Sequence, residues 1–204
     1  MPEMTIEPNE LDLLLKQCRE GDELAWELLV RQFQGRVCGM ACHYLGDLEE
    51  ARDITQEVFI RIYRNLGANV EAQSFFPWVI RITRNACIDH ARRKKVRPTI
   101  SDIAVEEMLS FPVSAQNPEE ELAAKMRRQL IYSALQQLTG LNREMIVLKE
   151  IQGIKLEDIA ALLGVPLGTI KSRSNRARIE LAEKVLAHSH ASTMSHEPGG
   201  GVIP

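Results

Sequence analysis

Cysteine, histidine and carboxylate side chains are the first places to look for reactivity, and this chain offers few workable arrangements of them. Cys38 and Cys42 stand four apart with His43 beside them, a spacing that invites a metal-ligand or thiol-switch reading. Three adjacent soft ligands do not close a tetrahedral zinc site without a fourth. Cys18 and Cys87 complete the set, no two cysteines form a Cys-x-x-Cys pair, and all four read as reduced thiols that serve packing. There is no phosphate-cradling glycine loop after a strand, no zinc-protease histidine pair and no nucleophile elbow. The expectation is a non-enzymatic protein with no catalytic residue, no metal and no cofactor.

What the sequence offers instead is recognition by charge. Net charge is only −3, but the distribution is uneven. Arg81, Arg84, Arg92, Arg93, Lys94, Lys95 and Arg97 face a single acid, Asp89, in one stretch. Residues 101–121 carry acids and no Lys or Arg, and Lys171, Arg173, Arg176 and Arg178 then form a second basic stretch. Two basic stripes parted by an acidic spacer are the footprint of a nucleic-acid binder inside a near-neutral total.

The second stripe has helical order. At about 100° per residue, Ile170, Ser174, Ala177 and Leu181 share a side that should face a core. Thr169, Ser172, Asn175 and Arg176 project oppositely, with Lys171, Arg173 and Arg178 on the flanks. Upstream, Leu156 to Leu163 reads as a supporting helix and Gly164-Val165-Pro166 as a turn, together a helix-turn-helix. Arg and Asn can make bidentate contacts to base edges in a major groove, while Lys, Ser and Thr hold phosphates.

The elements that must position these residues are helices throughout. Asp22 caps a helix to about Tyr44, ended by Gly46. Asp47 and Glu50 form a capping-box pattern opening a helix to about Leu66. On it Asp53, Gln56 and Glu57 make one polar patch, with Ile54, Val58 and Ile62 on another side. Ser74 is the expected cap of the next helix, with Pro77 in its first turn and Phe76, Trp78, Ile82 and Ile88 as core candidates. Asn117-Pro118 restarts helix, and four helices fit up to about Ala187, with breaks near Gly140, Gly153 and Gly164. Hydrophobic residues at 45% and charged residues at 26% suit a globular protein, and 204 residues allow one domain or two small ones. No run reaches the length of a membrane span, and Met1 to Asn9 has no signal-peptide character. A cytoplasmic protein without membrane insertion is expected.

These segments carry a specific resemblance. GVPLGTIKSRSNRAR (164–178) and LNREMIVLKEIQGIKLEDIAALL (141–163) resemble region 4 of extracytoplasmic-function sigma factors of the sigma-70 family. LGDLEEARDITQEVFIRIYRNL (45–66) is similar to region 2.2, and SFFPWVIRITRNACIDHARRKK (74–95) to regions 2.3 and 2.4. Two departures are Ser174, where the family places an apolar residue, and Thr139-Gly140, where a proline is common.

The resemblance implies an all-α fold of two small helical domains joined by a flexible acidic linker. Residues 9–95 would be region 2, 96–117 the linker, 118–187 region 4 and 188–204 a disordered tail. It implies that Asp53, Gln56 and Glu57 dock on the β′ clamp helices of core RNA polymerase, with region 4 on the β flap. Arg81, Arg84, Asn85, Arg92 and Arg93 would serve the −10 element, whose melting the loop from Gly67 to Ser74 assists by holding an extruded base. Thr169 to Arg178 would read the −35 element of promoter DNA, and an anti-sigma factor is an implied partner. The competing reading is a self-sufficient dimeric helix-turn-helix regulator, against which the lack of sustained heptads counts.

Overall fold

A computed structural model describes residues 7–67, 70–94 and 118–194. The expected linker, 96–117, lies outside them. The chain forms two compact units, Met1–Ala115 and Gln116–Pro204. The described residues are helical, with no strand among them, and no described helix is long and apolar enough to cross a membrane.

The first unit contains α1 (Pro8–Arg19), α2 (Glu23–Leu45), α3 (Leu48–Asn65) and α4 (Ala72–Lys94). The helix α1 was not anticipated, although its signals are present: Pro8 at the first helical position and Leu11, Leu14, Leu15 and Cys18 buried at helical spacing. Asp22 caps α2 by accepting from the Leu24 and Ala25 amides at 2.9 and 3.2 Å. Gly46 ends it at φ 72°, left-handed backbone that glycine adopts without cost. Asp47 caps α3 by accepting from the Glu50 amide at 2.9 Å. The Glu50 side chain does not complete the expected capping box and reaches α4 instead.

The start of α4 departs from expectation. The helix begins at Ala72, and the Ala72 amide donates at 2.8 Å to Asp12 of α1 rather than being capped by Ser74. Ser74 lies inside the first turn and Pro77 in the second. A carboxylate from a neighbouring helix satisfies an orphan amide and complements the positive end of the dipole.

The inward face of α4 is also rotated from that expected. Phe76, Trp78, Ile82 and Ile88 are half-buried, while Phe75, Val79, Ile80, Thr83, Ala86, Cys87 and Ala91 form the core stripe. The small residues on this stripe let α2 and α3 approach closely. Thr83 satisfies its buried hydroxyl by donating to the Val79 carbonyl at 2.9 Å. Phe33 of α2 meets Phe75 edge-on with centroids 5.2 Å apart and stacks on Phe76 at 5.7 Å, and the Arg36 guanidinium covers Phe76 at 3.4 Å.

The second unit contains α5 (Pro118–Gln136), α6 (Gly140–Ile146) with a π-turn (Val147–Ile151), α7 (Leu156–Leu163) and α8 (Leu167–Met194). Arg143 closes the α5–α6 corner by donating to the carbonyls of Leu135, Gln136 and Leu138 at the end of α5. Cationic donors at a helix C-terminus satisfy its orphan carbonyls, so Thr139-Gly140 makes the corner without proline. Met145, Leu148, Ile159, Ile170 and Ala177 are almost wholly buried and join α6, α7 and α8. Because α8 continues to Met194, the tail expected from residue 188 begins as helix, with His188 Nε2 2.6 Å from Gln137 Nε2. An established helix adds residues at little cost. The rest of the expected tail, 195–204, lies outside the described residues.

Candidate nucleic-acid interface

The turn before α8 sets the direction of that helix. Gly164 ends α7 at φ 66°, and the Pro166 carbonyl accepts from Thr169 and Ile170 to start α8. Ile170 and Ala177 are fully buried and Ser174 is 4% exposed, so the inner face is the one expected from the period. Leu181 is half-buried beside them. Thr169, Lys171, Ser172, Asn175, Arg176 and Arg178 are exposed, and Arg173 is half-buried.

Two hydrogen bonds tie α8 to the elements beside it. The Arg178 Nε donates to Glu150 of the π-turn at 2.7 Å, and Asn142 of α6 donates to Glu180. Arg178 is thus engaged within the unit, whereas Arg176 makes a 3.1 Å bond to Ser172 on its own helix. A pre-set row of Ser, Asn and Arg over a packed stripe can enter a major groove without ordering its backbone first.

In the first unit, Arg81, Asn85 and Arg92 are exposed along one side of α4. Arg84 is half-buried on the flank. Arg93 turns toward α3, 4.0 Å from Glu57. Of the expected patch on α3, Asp53 and Gln56 are exposed. Glu57 is half-buried and pairs with Arg61 as well as Arg93. The structure therefore separates two open polar residues from a third already holding α3 and α4 together.

Glu50 is a residue the sequence pattern assigned elsewhere. It receives bonds from Lys94 and from His90, the latter at 2.9 Å, and so fixes the basic end of α4 to α3. The Lys94 hydrogen bond, aided by that from His90, holds the Glu50 carboxyl below its ordinary value of 4.5. The folded chain binds this proton more weakly than the unfolded chain, so the stabilisation is present above that range and fades as pH falls through it. Glu50→Gln is expected to cost on the order of 1 kcal/mol at neutral pH and progressively less as pH drops below about 4. Thermal unfolding of both proteins across pH checks this; an equal cost at all pH values would refute it.

The four thiols differ in burial. Cys18, Cys42 and Cys87 are buried and Cys38 is half-buried. Burial pushes the Cys18 thiol up to about 11 and the Cys87 thiol up to about 12, which disfavours the nucleophilic thiolate. His43 is buried with its ring 5.1 Å from that of Tyr44. Among the described residues no three His, Cys, Asp or Glu side chains are grouped closely enough to hold a metal ion.

Two further residues were missed because they sit on α1. Arg19 donates from Nε to the Gly67 carbonyl at 3.1 Å and from Nη2 to the Val70 carbonyl. With Asp12 on the Ala72 amide, α1 bonds to the backbone of Gly67, Val70 and the first residue of α4.

Comparison with known proteins agrees with this geometry. Residues 29–97 match the family Sigma-70 region 2, and residues 128–181 match Sigma-70, region 4. An RNA polymerase sigma-H factor from Pseudomonas aeruginosa is 32% identical over 85% of this chain and 92% of its own length. An ECF RNA polymerase sigma factor SigE from Mycolicibacterium smegmatis is 35% identical over 86% of this chain and 68% of its own. Among solved structures, CnrH bound to the cytosolic domain of CnrY aligns with a TM-score of 0.57 at 22% identity, covering 86% of this chain and 97% of that one. The sigma factor RpoE from Bartonella quintana, bound to the anti-sigma factor NepR, gives the same score and identity over 78% and 95%.

Proposed function

The chain belongs to the sigma-70 family as an RNA polymerase sigma factor of the extracytoplasmic-function type, and from that premise we propose how its residues divide the work. Residues 9–95 dock on core polymerase and recognise and open the −10 element. Residues 118–187 read the −35 element and meet the β flap, with 96–117 as the connection. Asp53 and Gln56 form the centre of the surface offered to the β′ clamp helices, and Glu57 contributes while bracing α4 through Arg93.

On α4, Arg81, Asn85 and Arg92 contact DNA, with Arg84 and Arg93 adding positive field from the flanks. On α8, Asn175 and Arg176 contact base edges, while Thr169, Lys171, Ser172 and Arg173 hold phosphates. Arg178 acts through its bond to Glu150 and adds charge near the backbone. The observation that carries this reading is the pair of outward polar faces on α4 and α8, each backed by a buried stripe that sets its direction. Sigma factors are regulators, and the polymerase supplies the chemistry. This chain is accordingly proposed to contribute no catalytic residue, cofactor or metal, and to act in the cytoplasm. An anti-sigma factor is proposed to hold it off the polymerase.

Run-off transcription with core polymerase on genomic promoter fragments tests the whole. Specific start sites are expected with the chain and none without it. Tight binding of those fragments by the chain alone, as a dimer and without specific initiation, would favour an independent regulator and defeat the proposal.

A further inference from the structure

Glu150 engages a cation of α8 from outside that helix. Its carboxylate accepts from Arg178 Nε at 2.7 Å, 28 positions along the chain. The side chains of Arg178 and Glu150 are 54% and 40% exposed, and a pair so open to water contributes little to stability. Its placement is nonetheless specific. The π-turn Val147–Ile151 is closed by the Gln152 amide donating to the Val147 carbonyl at 2.8 Å, and Gly153 follows at φ 69°. Val147 and Leu148 are buried, while Glu150 is exposed. Single π-turns occur most often at functional sites. Arg178 also lies on the side of α8 proposed to face DNA: Lys171, Asn175 and Arg178 stand at i, i+4 and i+7, and all three are exposed. From Gly164 to Ile179 the chain has four cations and no acid, so the carboxylate that meets this row comes from another element.

We propose that Glu150 is a specificity-determining residue, holding Arg178 off DNA phosphates so that the chain binds poorly where the −35 element is absent. This rests on the reading of α8 as the helix that meets that element. Phosphate contacts supply the sequence-independent part of DNA binding. In a complex without base contacts, α8 can settle in whatever register puts most cations on phosphates, and a freed Arg178 would add one contact to any such register. The bond to Glu150 must break first, and the carboxylate left beside the phosphates is then itself repelled. On the −35 element, the contacts of Asn175 and Arg176 fix the register, and Arg178 keeps its Glu150 partner. The bond therefore opposes non-specific binding more than specific binding. A penalty placed on wrong sequences raises selectivity without adding a contact to the right one.

The test uses holoenzyme assembled from core polymerase and the full-length chain. The probes are upstream fragments that carry the −35 element but end before the −10 element, and the same fragments with the −35 element scrambled. Equilibrium binding is measured at several salt concentrations, with core polymerase alone as background, and thermal unfolding is followed in parallel. Glu150→Gln keeps the size of the side chain and removes its charge. It is expected to bind scrambled fragments on the order of fivefold more tightly and to steepen the salt slope there by about 0.9, the value of one further phosphate contact. Binding to the intact element should rise less, so the ratio between the two falls. In an Arg178→Ala background the same substitution should change neither, because no guanidinium is left to release. Arg178→Ala alone should weaken binding to scrambled fragments less than Lys171→Ala does.

Weaker binding of the Glu150→Gln holoenzyme to the intact element, with scrambled fragments unchanged, would make Glu150 a support for base reading and overturn the inference. So would an unaltered ratio, an effect that persists in the Arg178→Ala background, or a collapse of the unfolding transition. Arg176→Ala on the same fragments separates the two layers. If it lowers the ratio while Glu150→Gln does not, α8 reads the element and the role given to Glu150 is wrong. If the wild-type holoenzyme itself shows no preference for the intact element, the reading of α8 fails and the inference with it.

Discussion

Asp53→Lys combined with Gln56→Ala is expected to weaken core-polymerase binding by roughly 10- to 100-fold, the range for losing a contact worth about 1–3 kcal/mol at an interface centre. Both side chains are exposed on α3, so the change should leave the unfolding temperature nearly untouched. That separation is what makes the experiment decisive. Glu57 would give a less clear answer: it pairs with Arg61 and Arg93, and placing Lys there would set three cations together at the α3–α4 contact. Titration of labelled chain with core polymerase measures the effect. Undiminished affinity would move the docking surface off this patch, whereas a matching loss of folding stability would show that the patch holds the fold.

Asn175→Ala and Arg176→Ala should each reduce holoenzyme occupancy of the −35 element by about 1–3 kcal/mol and relax base preference at single positions. Lys171→Ala should instead weaken binding to all sequences alike and lower the salt dependence, the mark of a phosphate contact. Arg178→Ala should cost less than Arg176→Ala at the bases, since its guanidinium is bonded to Glu150 in the folded chain. Footprinting over a panel of single-base −35 variants, at two salt concentrations, distinguishes these outcomes. Uniform weakening by all four substitutions would mean that α8 supplies charge alone and reads no bases.

The stripe beneath that helix shows why this much could be expected from sequence. Ile170, Ser174 and Ala177 are neighbours on a helix whatever surrounds it, so their period alone names the buried side, and the structure buries all three. Asp22, Asp47, Gly46 and Gly164 act within a few residues of themselves as caps and stops, and they fall where helices begin and end. Local hydrogen bonding and a 3.6-residue repeat are properties of a segment, and a segment is what a sequence displays.

Tertiary structure decided what lies across helices. Apolar residues surround α4 on most sides, so its period does not choose between Phe75 and Phe76; packing against α2 and α3 does, by admitting the face rich in Ala, Thr and Cys. Glu50 looked like half of a capping box, yet its carboxylate meets His90, 40 positions away. Glu57, Arg93 and Arg178 read as open recognition residues, yet each has an ionic partner on another element. Asp12 and Arg19 carried no motif at all, and only the approach of α1 to the α3–α4 loop gives them partners 60 and 48 positions along the chain. The sequence by itself determined two helical regions, their family and the buried side of the helix proposed to read DNA. The fold alone decided which charges remain available for that work, because long-range pairing depends on where helices meet and a repeat within one helix does not record it.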